Sequence, residues 1–241
     1  MNLVVDIGNS RTKICIFNEN RIVSQTVCDS FSNEWILELL KKEKIATVLF
    51  STVVQPVDDI KQLIFSHGFK CIIFDHNTKI PIQNIYKTPY TLGLDRLAAA
   101  IGANELLPNQ NVVIIDAGTA ITIDFINAEN QFVGGNISPG LNTRYKALHN
   151  YTNKLPLLEL RSEWPILGTN TETAISSGVQ QGVVFELFGY IDWFIQQYTN
   201  VKTIITGGDA EFLAKNIQQS IIVEPDLVLK GLNRIIQYNA N

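Results

Sequence analysis

Histidine, cysteine and methionine are scarce in this chain of 241 residues, which has three, three and one of them. His67, His76 and His149 stand far apart without metal-ligand spacing, which argues against a zinc site. Cys15, Cys28 and Cys71 make an odd count with no CxxC pair, and each lies in an apolar run where a thiol packs as a small hydrophobe, so no disulfide framework is expected. Charge is also sparse: 17% of residues are charged, the net charge is −4, and lysine and arginine are scattered. Nucleic acid is therefore not an expected partner, because binding its phosphates needs a concentrated basic surface. No apolar run approaches the roughly 20 residues that span a bilayer. The opening MNLVVDIGNS reaches Asp6 without a basic region leading into a long apolar segment, so the expectation is a cytoplasmic protein with no signal peptide and no membrane partner. GxxxxGK[ST] and GxSxG are missing too, which removes P-loop and hydrolase-elbow explanations.

What is present is apolar, 46% of the chain, enough for a large core. Asn2 to Asp6, Thr12 to Phe17 and Arg21 to Val27 read as a meander of strands. Helices at Trp35 to Lys42 and Val57 to Phe65 then alternate with strands at Thr47 to Val53 and Lys70 to Phe74, the pattern of an α/β layered sheet. His76 to Thr91 has neither periodicity and reads as a long functional loop. In the helix that follows, Leu94, Leu97 and Ile101 make an apolar stripe, and Ala98 and Gly102 a small-residue stripe suited to close approach by another helix. A second meander is predicted at Val112 to Asp116, Ala120 to Ile126 and Gln131 to Gly135. Beyond it come a helix at Leu141 to His149, a proline-bearing loop, and a long helix with Val184, Phe188, Ile191 and Ile195 facing a core. Last come a strand at Thr203 to Thr206 and a helix at Asp209 to Ile217. Val4 to Gly8 lies over Ile114 to Gly118, each ending a strand in Asp-x-Gly, so the chain reads as a duplication with halves at 1–110 and 111–241.

Chemistry concentrates in the turns. In Asp6-Ile7-Gly8-Asn9-Ser10-Arg11-Thr12-Lys13, glycine lets backbone approach a phosphate, hydroxyl and amide groups donate to its oxygens, and Lys13 adds a charge. Asp6 at a strand end could hold Mg²⁺ through water. Asn9 and Ser10 would equally serve plain turn geometry. Asp116-Ala117-Gly118-Thr119 repeats this chemistry, and two such turns facing each other would enclose a polyanion. Gly93-Leu94-Asp95-Arg96 opens a helix, where Asp95 either merely favours the helix dipole or accepts a proton from a substrate hydroxyl while Arg96 grips a carboxylate or phosphate. Gly134 to Gly140 places three glycines around a helix entrance, and Thr206-Gly207-Gly208-Asp209 follows a strand and opens a helix.

Taken together, DIGNSRTK at 6–13, YKTPYTLGLDR at 86–96, DAGTAIT at 116–122, GGNISPG at 134–140, GTNTETAISSG at 168–178 and TGGDA at 206–210 resemble the type III pantothenate kinases in order and spacing. The resemblance implies an α/β fold of two ribonuclease-H-like (actin-like ATPase) halves, each a mixed sheet flanked by helices, with an ATP cleft between them. It implies transfer of the γ-phosphate of ATP to pantothenate, with Mg²⁺ and a monovalent cation, K⁺ or NH₄⁺, as cofactors. Asp6, Ile7, Gly8, Asn9, Ser10, Arg11, Thr12, Lys13 and Thr119 would hold ATP, Asp116 the monovalent cation, and Asp95 would act as general base. Tyr86, Gly93, Leu94, Asp95, Arg96 and Thr171 would touch pantothenate, in a homodimer whose partner subunit completes the pocket. The Ala98 and Gly102 stripe suits such a subunit contact. Leu94 stands where the family more often has alanine. The rival expectations are another small-molecule kinase of the superfamily and a non-catalytic transcription accessory factor; the presence of Asp6, Asp95 and Asp116 favours an enzyme.

Overall fold

β-branched runs and helical stripes alternate as the sequence predicts, and the computed structural model, which describes residues 1–8, 11–52 and 58–240, resolves them into two units. The first unit comprises Met1–Pro108 and Asp226–Asn241, the second Asn109–Pro225. Unlike the division at 110/111 read from sequence, the last helix therefore groups with the first unit.

In the first unit, β1 (Asn2–Ile7), β2 (Thr12–Asn18) and β3 (Arg21–Cys28) form an antiparallel meander, while β4 (Thr47–Thr52) and β5 (Lys70–Ile73) run parallel to β1, giving the order β3-β2-β1-β4-β5. Side chains alternate across a strand. Leu3, Val5 and Ile7 accordingly pack with Val48 and Phe50 against Ile36 and Leu40 of α1 (Asn33–Lys42) and Ile60 and Ile64 of α2 (Asp58–Ser66). Ser32 caps α1 by accepting from Trp35 N, which is why that helix begins ahead of the predicted Trp35. Val53 and Val57, the predicted ends of β4 and α2, lie outside the described residues. Val4 and Asp6 share the opposite face of β1, the one reached by α8 (Leu227–Tyr238).

The segment after β5 contains a two-residue strand, β6 (Gln83–Asn84), and a 3₁₀ turn at Pro89–Thr91 before α3 (Leu94–Leu106). A Cβ at Gly102 would stand 2.2 Å from the Leu227 carbonyl, and one at Gly231 would stand 1.9 Å from the Ala98 carbonyl. The predicted small-residue stripe is thus real, and its occupant is α8 of the same chain. This corrects the expectation that it serves a subunit contact.

The second unit repeats the topology. β7 (Val112–Ala117), β8 (Ala120–Ile126) and β9 (Gln131–Pro139) form the meander, β10 (Lys202–Thr206) and β11 (Ile222–Val223) run parallel to β7, and within this unit the order is β9-β8-β7-β10-β11. One face packs against α4 (Leu141–Asn150), α6 (Gly182–Gln197) and α7 (Ala210–Asn216). A π-helical turn at Ser177–Gln181 joins α5 (Thr171–Ser176) to α6. In α6 the core side is Val183, Val184, Leu187, Ile191 and Phe194, whereas Phe188 and Ile195 are 41% and 46% exposed, so half of the predicted stripe is misplaced. β9 runs on to Pro139, so Gly134 and Gly135 lie in a strand rather than at a helix entrance; a Cβ at Gly135 would stand 2.2 Å from Oδ1 of the buried Asp124. All three cysteines are free, and burial pushes the Cys15 thiol up to about 12 and the Cys71 thiol to about 11, consistent with inert thiols.

Candidate active site

Asp6 ends β1 opposite Lys13 of β2 and beside Ser51 of β4. These neighbours surround its half-buried carboxyl. Burial pushes its pKa above the ordinary carboxylate range and the nearby negative charge of Asp95 adds to the rise, while the hydrogen bond from the Ser51 hydroxyl and the Lys13 ammonium pull it down. The first unit therefore brings together two acids, a lysine and a hydroxyl drawn from β1, β2, β4 and α3. Gly8 N–H donates to Arg11 O (3.1 Å), closing the turn. Ile7 and Thr12, the strand residues flanking it, are buried, and Arg11 is exposed. Asn9 and Ser10 lie outside the described residues.

Asp95 is exposed in the first turn of α3, with Oδ1 accepting from Arg96 N (2.8 Å). Gly93 lies against it: a Cβ there would stand 2.4 Å from Asp95 Oδ1, so a side chain would displace the carboxylate from this position. Leu94 is half-buried. Arg96 is buried with its guanidinium 5.9 Å from the centre of the half-buried Tyr86 ring, a cation–π distance. Tyr86, Gly93, Asp95 and Arg96 thus form one local group.

In the second unit Asp116 occupies the position in β7 that Asp6 has in β1. Its neighbours across the ladders are Thr122 of β8 and Thr206 of β10. Gly207, at φ +94°, brings its backbone against this acid; a Cβ there would stand 2.5 Å from Asp116 Oδ1. Asp209 N donates to Ala117 O (3.0 Å), and burial pushes the Asp209 carboxyl above its usual range. The exposed Thr119 has its carbonyl fixed by Gly140 N (3.0 Å) and Thr143 Oγ1 (2.7 Å). Three glycine-bearing motifs, scattered in sequence, thereby meet at the Asp116–Thr119 turn. Thr171 is exposed at the start of α5, whose N-terminus is held by a capping box between Asn170 and Thr173. Its neighbour Glu172 pairs with Arg161 (2.6 Å).

Sequence reasoning passed over Ser51, for which no local signal exists, because only the parallel pairing of β1 and β4 sets it beside Asp6. It also weighed His76 solely as a metal ligand, although His76 Nε2 donates to Leu92 O (2.9 Å), next to Gly93.

The profile of the type III pantothenate kinase family matches residues 2–193. A type III pantothenate kinase of Phocaeicola vulgatus is 41% identical over 239 residues, covering 99% of each chain. Among solved structures, a Baf family protein of Campylobacter jejuni superposes with a TM-score of 0.64 at 23% identity, covering 99% of both chains. A ROK family protein of Streptococcus pneumoniae does so with 0.55 at 10% identity, again with 99% of both chains covered. These structural likenesses speak to fold alone, an α/β architecture with two mixed sheets flanked by helices.

Proposed function

The chain belongs to the type III pantothenate kinase family, and from that premise we propose which of its residues carry the phosphoryl transfer. The protein is an ATP-dependent pantothenate kinase, giving 4′-phosphopantothenate in the first step of coenzyme A biosynthesis. In the first unit the turn from Asp6 to Lys13, including Ile7, Gly8, Asn9, Ser10, Arg11 and Thr12, holds the phosphates of ATP, with Lys13 contributing charge. Asp95 orients the pantothenate hydroxyl and takes its proton. Tyr86, Gly93, Leu94 and Arg96 contact pantothenate, and Thr171 of the second unit is assigned to the same substrate. In the second unit Thr119 helps to hold ATP and Asp116 binds a monovalent cation, K⁺ or NH₄⁺.

The observation that carries this reading is the convergence of Asp6, Lys13, Ser51 and Asp95. A carboxylate with a second acid near it fits beside triphosphate only with metal charge between them, so Asp6 suits the outer shell of Mg²⁺. When bound, Mg²⁺ supplies the positive charge that a loose phosphoryl-transfer transition state requires. The chain's own part is alignment of donor and acceptor and removal of the hydroxyl proton. Asp95→Asn should lower kcat by about 100-fold or more with the ATP KM nearly unchanged, as steady-state ADP release would show. Unchanged turnover would remove Asp95 from the reaction. The same assay without potassium should lose most of its rate if Asp116 needs its cation.

A homodimer in the cytoplasm completes the proposal. Supporting the dimer, α6 presents Phe185 and Trp193, 60% and 51% exposed, beside Gly189 and Tyr190 along one side of a groove of about 530 Å³. A second copy of the chain suits that apolar surface. Supporting the location, no helix among the described residues is long and apolar enough to cross a membrane.

A further inference from the structure

After β5 the chain makes a turn that is closed on itself. Asp75 Oδ1 accepts from Asn77 N and Thr78 Oγ1, both at 2.9 Å, and Thr78 N donates to Asp75 O at 3.1 Å. At its far side, Asn239 Nδ2 beyond the end of α8 donates to Lys79 O at 2.9 Å, which ties the turn to the C-terminal helix. His76 projects from this anchored turn. Its Nε2–H donates to the Leu92 carbonyl at 2.9 Å, and its ring meets Tyr90 edge-on with centroids 6.0 Å apart.

The Leu92 carbonyl lies just outside the α3 ladder, whose first acceptor is Gly93 O, bonded to Leu97 N at 3.2 Å. It therefore has no helical partner and must be satisfied from elsewhere. The peptide so held leads directly into Gly93, the residue whose missing side chain leaves room for Asp95 Oδ1. We propose that His76 is a positioning residue for the pantothenate half of the reaction: by fixing the Leu92–Gly93 peptide from the rigid Asp75–Lys79 turn, it sets where the Asp95 carboxylate stands. The proposal rests on the reading of Asp95 as general base.

The test compares His76→Phe, which keeps a ring against Tyr90 but has no N–H, with His76→Gln, which keeps a donor, and with Asp95→Asn. Each is assayed against pantothenate and against ATP, and melted thermally. His76→Phe is expected to lower kcat/KM for pantothenate by about 10-fold, since small misplacements of a reacting group cost one to two orders of magnitude, with the ATP KM and melting temperature near wild type. His76→Gln is expected to return kcat/KM to within about threefold of wild type, because the hydrogen bond and not the ring is the agent. The proposal is overturned if His76→Phe leaves kcat/KM for pantothenate unchanged, if both substrates suffer equally alongside a lowered melting temperature, or if the Gln variant is as impaired as the Phe variant. Should Asp95→Asn itself retain turnover, the reading of the base fails and this inference with it; a crippled Asp95→Asn beside a fully active His76→Phe sinks the inference alone.

Discussion

Burying a carboxyl that must carry charge is costly, and Asp6 shows how the chain limits that cost. Its pKa is raised by burial and by Asp95, and Ser51 and Lys13 oppose the rise. Since the folded state holds this proton to higher pH than the unfolded chain, the stability associated with Asp6 is fullest at acid pH and is lost as pH rises through the raised pKa. Asp6→Asn should therefore melt at a higher temperature than wild type at pH 7.5, with the gain vanishing towards pH 4, while activity falls. Equal melting temperatures across that range would refute the burial argument. Ser51→Ala withdraws a hydrogen bond to the charged form, so the Asp6 pKa should climb further and the acidic limb of the pH profile of kcat/KM for ATP should move to higher pH. A limb that stays in place would show that Ser51 does not serve Asp6. The two acids stood out in sequence because each sits in a short glycine-bearing motif at the end of an element, Asp6 where a strand stops and Asp95 where a helix begins. Ser51 was not, since a residue's neighbour across a parallel ladder comes from 45 positions away and leaves no local mark.

At the level of elements, the limits of β1, β2, β3, β7, β8 and β10 were read to within a residue because β-branched runs and turn residues are local properties, while β9 ran four residues beyond its expected end and the two-residue strands β6 and β11 were not foreseen. The choice of buried face depends on what the element meets. In α6, Val183, Val184, Phe185, Leu187, Phe188, Ile191, Trp193, Phe194 and Ile195 make the helix apolar nearly all round, so periodicity alone could not fix its phase. The sheet decided it, drawing in Leu187 and Phe194 and leaving out Phe188 and Ile195. The Ala98 and Gly102 stripe has the complementary lesson. That a helix would approach closely was evident, but not that α8, more than 120 residues later, is that helix. The contact is backbone against backbone, so Gly231→Ala should cost about 3 kcal/mol, at the upper end for overpacking, read as a lowered urea midpoint at constant slope. An unshifted midpoint would mean that α3 and α8 are less tightly apposed than these distances imply.

Across the whole molecule, the repeated order of a meander followed by two parallel strands gives the duplication read from Val4–Gly8 and Ile114–Gly118 a topological basis: Asp6 and Asp116 stand at equivalent ladder positions, each beside a hydroxyl, Ser51 and Thr206. The halves differ in what covers them. The second unit carries more apolar surface on α6 than its own sheet consumes, and a large aromatic such as Trp193 at 51% exposure loses stability in water unless something shields it. A second copy seated there would explain why α6 is apolar on both sides. Trp193→Glu places a charge at the centre of that face, and since a buried unpaired carboxylate costs several kcal/mol, the variant should sediment as a monomer at micromolar concentration where the wild type sediments as a dimer. Its unchanged fold is checked by circular dichroism. If the partner subunit completes the acceptor pocket, the same variant should show a raised KM for pantothenate that high protein concentration partly restores, because dimerisation is then linked to acceptor binding by mass action. A variant that remains dimeric would move the subunit contact off α6, and a monomer with normal pantothenate kinetics would confine the pocket to one chain.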